Sequence, residues 1–207
     1  MTVRIEAAAQ RAGRDPAAVT LVAVTKTRPL EDLLAAYEAG VRHFGENRVQ
    51  EAEAKFPHLP RDVVKHLVGP LQSNKTNKAA RLADVLHAID SAEIARRIAR
   101  AAAREGLRLA VYVEVNTGGE ATKAGVSPAD APALVEVVRG LPELDLLGLM
   151  TIPPPGETRP HFVALRGLAA ALGVGGLSMG MSDDFEAAIE EGATVVRVGT
   201  ALFGSRS

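Results

Sequence analysis

The residue with the clearest chemical potential is Lys26, which directly follows the apolar run LVAVT at Leu21–Thr25. A lysine at the end of a buried strand is poorly solvated, and desolvation lowers an ammonium pKa toward neutrality. The resulting amine suits Schiff-base chemistry. The competing reading is a rim lysine that snorkels to water, and strand position alone leaves both open. Ser178, Gly180, Gly199 and Thr200 suggest an anion site, because glycine lets backbone N–H groups approach a ligand and hydroxyls add donors. The same glycines read equally well as plain turns.

Other candidates carry less. Asp183 and Asp184 lack a histidine at ligand spacing and read as helix-start charges. The five histidines form no HxxxH pair, and His66 and His87, inside apolar runs, read as satisfied core groups. Gln72, Ser73, Asn74 and Lys75 form a polar patch whose ordinary roles are capping and solvation.

The elements that must position these residues alternate. Short β-branched runs lie at residues 21–25, 41–45, 65–69, 85–89, 109–115, 144–150, 175–179 and 194–198, separated by alanine-rich amphipathic stretches. Several runs lack polar alternation, as strands covered on both faces do. Pro29 opens a helix ending at Gly40, Ser91 precedes one closed by Gly106, and Ser127 and Pro128 open a segment ending at Gly140. Ser182 is expected to cap a helix over Phe185–Glu191. Eight such units close into an α/β fold, a (β/α)8 barrel of parallel strands with an extra N-terminal helix, over one domain at 1–207. An open doubly wound sheet is the alternative, but Gly173–Gly180 makes no dinucleotide fingerprint. In a barrel, functional side chains stand at the C-terminal ends of strands, where Lys26, Ser178, Gly180, Gly199, Thr200 and the patch from Gln72 to Lys75 fall.

Composition narrows the partners. The chain has 207 residues, 47% of them apolar, with a net charge of -1 and no cysteine. No basic block suggests a nucleic-acid partner, and thiolate chemistry is absent. No leader-like or membrane-spanning run is present, so a cytoplasmic protein is expected.

Taken together, the stretches AVTKTRP, HFGENRVQEAEAK, HLVGPLQSNKTNKA, LLGLMTIPP and LSMGMSDDFEAAIEEGATVVRVGTALFG resemble the YggS/PROSC family of pyridoxal 5'-phosphate (PLP) homeostasis proteins. The matches run from about Arg11 to Gly204. The resemblance implies the single-domain barrel of fold-type III PLP enzymes, with PLP as cofactor. It implies that Lys26 forms the internal aldimine and that Ser178, Gly199 and Thr200 bind the phosphate. Asn47 and Met179 would line the pocket, and Arg197 would face the pyridine nitrogen. Thr25 stands where the family often has serine, and Arg28 where a second lysine is common.

A guanidinium only donates, so Arg197 favours an unprotonated pyridine nitrogen, a weak electron sink. Racemisation would need a second base opposite Lys26, yet the two tyrosines, Tyr37 and Tyr112, fall within a helix and a strand. The expectation is a monomeric, non-catalytic PLP carrier that delivers its cargo to PLP-dependent apoenzymes. The alternative is a weak racemase-like enzyme acting on small amino acids. Should Lys26 not be the attachment point, Lys75 and Lys123 are next.

Overall fold

In the computed structural model, which describes residues 1–120 and 124–204, eight parallel strands close into a barrel in sequence order. They are β1 (Thr20–Val24), β2 (His43–Glu46), β3 (Val64–Leu67), β4 (Val85–Ile89), β5 (Leu109–Glu114), β6 (Leu144–Met150), β7 (Gly176–Ser178) and β8 (Val195–Val198). Each falls within a residue or two of an apolar run. Closure comes from β8 against β1, in the register Thr20↔Val195 through Ala23↔Val198.

The crossovers are α2 (Leu30–Glu38), α3 (Val49–Lys55), α4 (Thr76–Leu82), α5 (Ala92–Glu105), α6 (Ala131–Arg139), α7 (Arg159–Ala171) and α8 (Phe185–Glu190). A short α9 (Thr200–Phe203) follows β8, and α1 (Thr2–Arg11) precedes β1. Helix α5 shows how sequence dictates the layer. Ile94, Ala95, Ile98, Ala99 and Ala102 form one buried stripe, the spacing of an amphipathic helix. The Ser91 hydroxyl accepts the Ile94 N–H at 3.2 Å, and Gly106 ends the helix at φ 64°, where glycine alone escapes the left-handed penalty.

Two apolar clusters result. The larger one fills the space between strands and helices; the smaller, with Val22, Val85, Ala88, Tyr112, Met150 and Val195, fills part of the barrel interior. Polar side chains occupy the rest of that interior. Strands β6 and β7 approach closely at Gly148, where a Cβ would sit 1.9 Å from the Gly176 carbonyl oxygen.

Helix α1 lies on α8. Ile5, Ala8 and Ala9 are buried, Arg4 pairs with Glu186 at 3.1 Å and covers the Phe185 ring, and Arg11 pairs with Glu190. The Ser182 cap expected on α8 is not formed. Asp184 is the N-cap residue, its carboxylate accepting the Met181 N–H at 2.6 Å. Ser182 instead accepts the Ala201 N–H of α9 at 3.1 Å. The serine and the acids beside it all have capping chemistry, and tertiary contact with α9 decided between them. No helix among the described residues is long and apolar enough to cross a membrane.

Candidate functional site

A pocket of about 190 Å³ opens at the C-terminal ends of the strands, with Lys26, Asn47, Ser182, Asp183, Arg197, Gly199 and Thr200 in its wall. Val24, Val68, Ile152 and Met181 supply its apolar surface. The volume is below the ~300–1,000 Å³ of clefts for drug-sized ligands, and suits one substituted ring. Elements far apart in sequence converge here by the barrel rule.

Lys26 lies just past β1. Thr25 is fully buried, whereas Lys26 is exposed on the pocket's edge. The desolvation expected from its position after an apolar run is therefore not present. Burial ends one residue earlier, and the chain turns out of the barrel at Thr27, which has φ 63°. Asn47, at the end of β2, is held by a close approach, since a Cβ on Gly69 would sit 2.3 Å from the Asn47 carbonyl oxygen. Asn47 also borders a neighbouring cleft of about 670 Å³, and Gln72 and Lys75 belong to that cleft. The polar patch is thus next to the pocket, not in it. Lys123 lies outside the described residues.

Arg197 is the buried charge of the site. Its Nη1 donates to Ser178 Oγ at 2.6 Å and its Nη2 to the Thr151 carbonyl at 2.9 Å. Burial pulls its guanidinium down to about 10, against the charges of Glu114 and Asp184, so it stays protonated at neutral pH. Ser178 is fully buried, does not border the pocket, and also contacts His87 Nδ1 at 2.8 Å. Met179 is fully buried in the outer core. Gly180, at φ 92°, turns the chain over α8, where a Cβ would sit 2.5 Å from Ala188 Cβ. Of the residues singled out from sequence, the structure brings together Lys26, Asn47, Arg197, Gly199 and Thr200, and places Ser178 and Met179 beneath them.

Beyond Ser178 the barrel interior holds a chain of imidazoles. His87 Nε2 meets His66 Nδ1 at 2.9 Å, and His66 Nε2 meets His43 Nδ1 at 3.0 Å. A guanidinium only donates, so Ser178 accepts from Arg197. A neutral imidazole carries one N–H and one bare nitrogen, so each link between the rings joins the N–H of one to the bare nitrogen of the next. Burial, reinforced by its neighbours, keeps these rings neutral: His66 is pulled down to about 3, and His87 well below its usual range. Tyr112 stacks on His87 with 4.8 Å between centroids. Tyr37 donates its hydroxyl to Asp62 at 3.0 Å. Neither tyrosine borders the pocket.

Three groups escape the sequence reading. Ser182 is the second serine of SMGMSDD, and its only signal is proximity to the first. Glu114, at the end of β5, has a buried Oε2 without a hydrogen bond, and burial with the Asp90 charge pushes its carboxyl up to about 7. Glu46 is fully buried beside Lys55 at 2.7 Å, with burial raising its carboxyl and Lys55 and Thr25 opposing.

Known proteins resemble this chain over nearly its whole length. The model of the alanine racemase N-terminal domain matches residues 2–207. A pyridoxal phosphate homeostasis protein of Pseudomonas aeruginosa is 48% identical over 100% of this chain and 93% of its own. The chain belongs to the pyridoxal phosphate homeostasis protein family. Among solved structures, PipY of Synechococcus elongatus without PLP superposes with a TM-score of 0.88 at 40% identity, covering 98% of this chain and 99% of that one. PipY with PLP bound gives 0.85 at 39% identity over the same shares.

Proposed function

We propose that this protein binds PLP in the 190 Å³ pocket and serves intracellular PLP homeostasis, holding the cofactor as an internal aldimine on Lys26. The observation that carries the reading is a primary amine and a buried guanidinium sharing one pocket of single-ring size. The donor set fits the ligand. Lys26 would supply the amine for the aldehyde, Arg197 would stand toward the ring nitrogen, and Thr200, Ser182 and the Gly199 backbone would hold the phosphate, with Asp183 also in the wall. PLP, when bound, supplies a reactive aldehyde and an electron-withdrawing ring.

In this reading Ser178 acts one step back, by fixing Arg197, and the phosphate contact passes to Ser182. Met179 supports the wall from the core. Arg197, which stays protonated, would leave the ring nitrogen without a proton, and this disfavours carbanion chemistry. Neither tyrosine opposes Lys26, which supports a carrier that delivers PLP to apoenzymes without dedicated turnover. We read residues 1–207 as one domain acting as a cytoplasmic monomer.

The decisive experiment loads the purified protein with PLP, treats it with borohydride and maps the label. Label on Lys26, loss of the near-visible band, and no label there in Lys26→Ala are expected. Label on Lys75 or Lys123 would overturn the attachment. Delivery is tested by mixing loaded protein with a PLP-dependent apoenzyme and a PLP-trapping phosphatase. Reactivation no faster than with trapped free PLP would sink the carrier role.

A further inference from the structure

Lys26 sits in a turn that the chain would not adopt by itself. Among the described residues, Thr27 is the single non-glycine with positive φ, at 63°. A β-branched residue there is strained and persists only where its surroundings over-determine it. Those surroundings are ionic. Lys55 Nζ donates to the Thr25 carbonyl at 2.9 Å, and Glu51 Oε2 accepts the Thr27 N–H at 2.8 Å. The backbone is thus gripped on both sides of Lys26. Thr25 Oγ1 donates to Glu46 Oε1 at 2.7 Å, the same oxygen that Lys55 meets at 2.7 Å.

The grip has a structural logic. Glu51 and Lys55 are i,i+4 neighbours on α3 and so share one face. That face abuts the end of β2, where Glu46 is fully buried. The Lys55 side chain is 12% exposed and Glu46 0%. None of the three borders the 190 Å³ pocket. They therefore hold the backbone flanking Lys26 and touch no ligand in that pocket.

We propose that Lys55, Glu51 and Glu46 are positioning residues for PLP attachment, an ion-paired clamp that holds the turn of Thr25, Lys26 and Thr27 and so aims the Lys26 amine into the pocket. The inference rests on the Lys26 attachment proposed above. Misplacing a reacting group by ~1 Å can slow a reaction about 100-fold. Binding of PLP through Arg197, Ser182 and Thr200 does not depend on that aim.

The test separates linkage from binding in the full-length chain. Wild type, Glu51→Met, Lys55→Met and Lys55→Arg are loaded with PLP; total bound PLP is measured by equilibrium dialysis, and the linkage rate by borohydride labelling of Lys26. Glu51→Met removes the acceptor of the Thr27 N–H. Glu51→Met and Lys55→Met should slow labelling on the order of 10-fold or more while total binding holds within about 3-fold, and Lys55→Arg should restore part of the rate. Equal labelling rates in wild type and Glu51→Met would overturn the clamp. Glu51→Met keeps the Glu46–Lys55 pair, so it decides the matter even if Lys55→Met fails to fold. Wild-type label on another lysine would instead overturn the attachment reading itself, and the clamp with it.

Discussion

Two buried polar networks meet at the pocket, and they are built on opposite electrical plans. The clamp behind Lys26 is made of full charges, Glu46, Lys55 and Glu51, fixed to backbone atoms. The interior chain has one charge, Arg197, followed by a hydroxyl and neutral rings. Lys55 stands between the two carboxylates, so opposite charges meet there and can hold a strained backbone, with Glu46 Oε2 left without a hydrogen bond. A lone guanidinium in a barrel needs acceptors instead, and Ser178 and the Thr151 carbonyl supply them. The difference teaches that the two halves of the site fail differently: one by losing geometry, the other by leaving a charge or donor unsatisfied.

The largest effect is expected at Arg197. Arg197→Met strips the donor from Ser178 and the Thr151 carbonyl and the counter-charge from Glu114, costing about 3–5 kcal/mol. Urea unfolding checks this, and a cost below ~1 kcal/mol would refute the view of Arg197 as the interior's organising charge. Next comes Glu46→Gln, which keeps the shape of the clamp but removes its buried charge, for about 1–3 kcal/mol in the same measurement.

Acid should expose the interior network. His66 is held near 3 against an ordinary 6.5, so the unfolded state binds its proton first, and stability falls as pH drops from 6.5 toward 3. His87 acts in the same direction. Glu114, raised to about 7 from 4.5, has the opposite sign: its contribution is full below 4.5 and lost as pH rises through 7. Between 4.5 and 6.5 the two effects partly cancel. Glu114→Gln should therefore steepen the acid limb of stability against pH, and an unchanged slope would show that Glu114 ionises normally. The smallest effect is at Thr27→Gly, where relief of left-handed strain offsets glycine's entropy to within about 1 kcal/mol. Urea unfolding of that variant checks it.

Much of this is legible in the sequence, and for a physical reason. Barrel strands covered on both faces read as apolar runs, and chemistry stands at their ends, so Lys26, Gly199 and Thr200 can be gathered from the runs, whereas Asn47 and Arg197, the latter inside β8, come with the family resemblance. What stays hidden depends on register across strands. Ser178 and Ser182 are both hydroxyls near the end of β7, and only the turn at Gly180 decides which one reaches the pocket. The three imidazoles sit one to a strand in β2, β3 and β4, so no local spacing announces them. Glu51 and Lys55 are readable as a helix pair, but nothing local says that they grip Thr25 and Thr27. The exposure of Lys26 is hidden too, because an apolar run does not reveal whether burial stops at its last residue or one beyond.

The seam between β1 and β8 bears on how the chain must be made. Arg4 and Glu186 are 182 residues apart, and β1 finds its second neighbour only in the last strand. During synthesis, an emerging chain therefore carries an open strand edge at its start until nearly everything else has left the ribosome. Such an edge invites pairing with other chains. Long-range closure of this kind is also intrinsically slow. Helix α1 seats Ile5, Ala8 and Ala9 against α8 beside that seam, and a chain stopped short of β8 would leave β1 with one neighbour and its edge open to other chains.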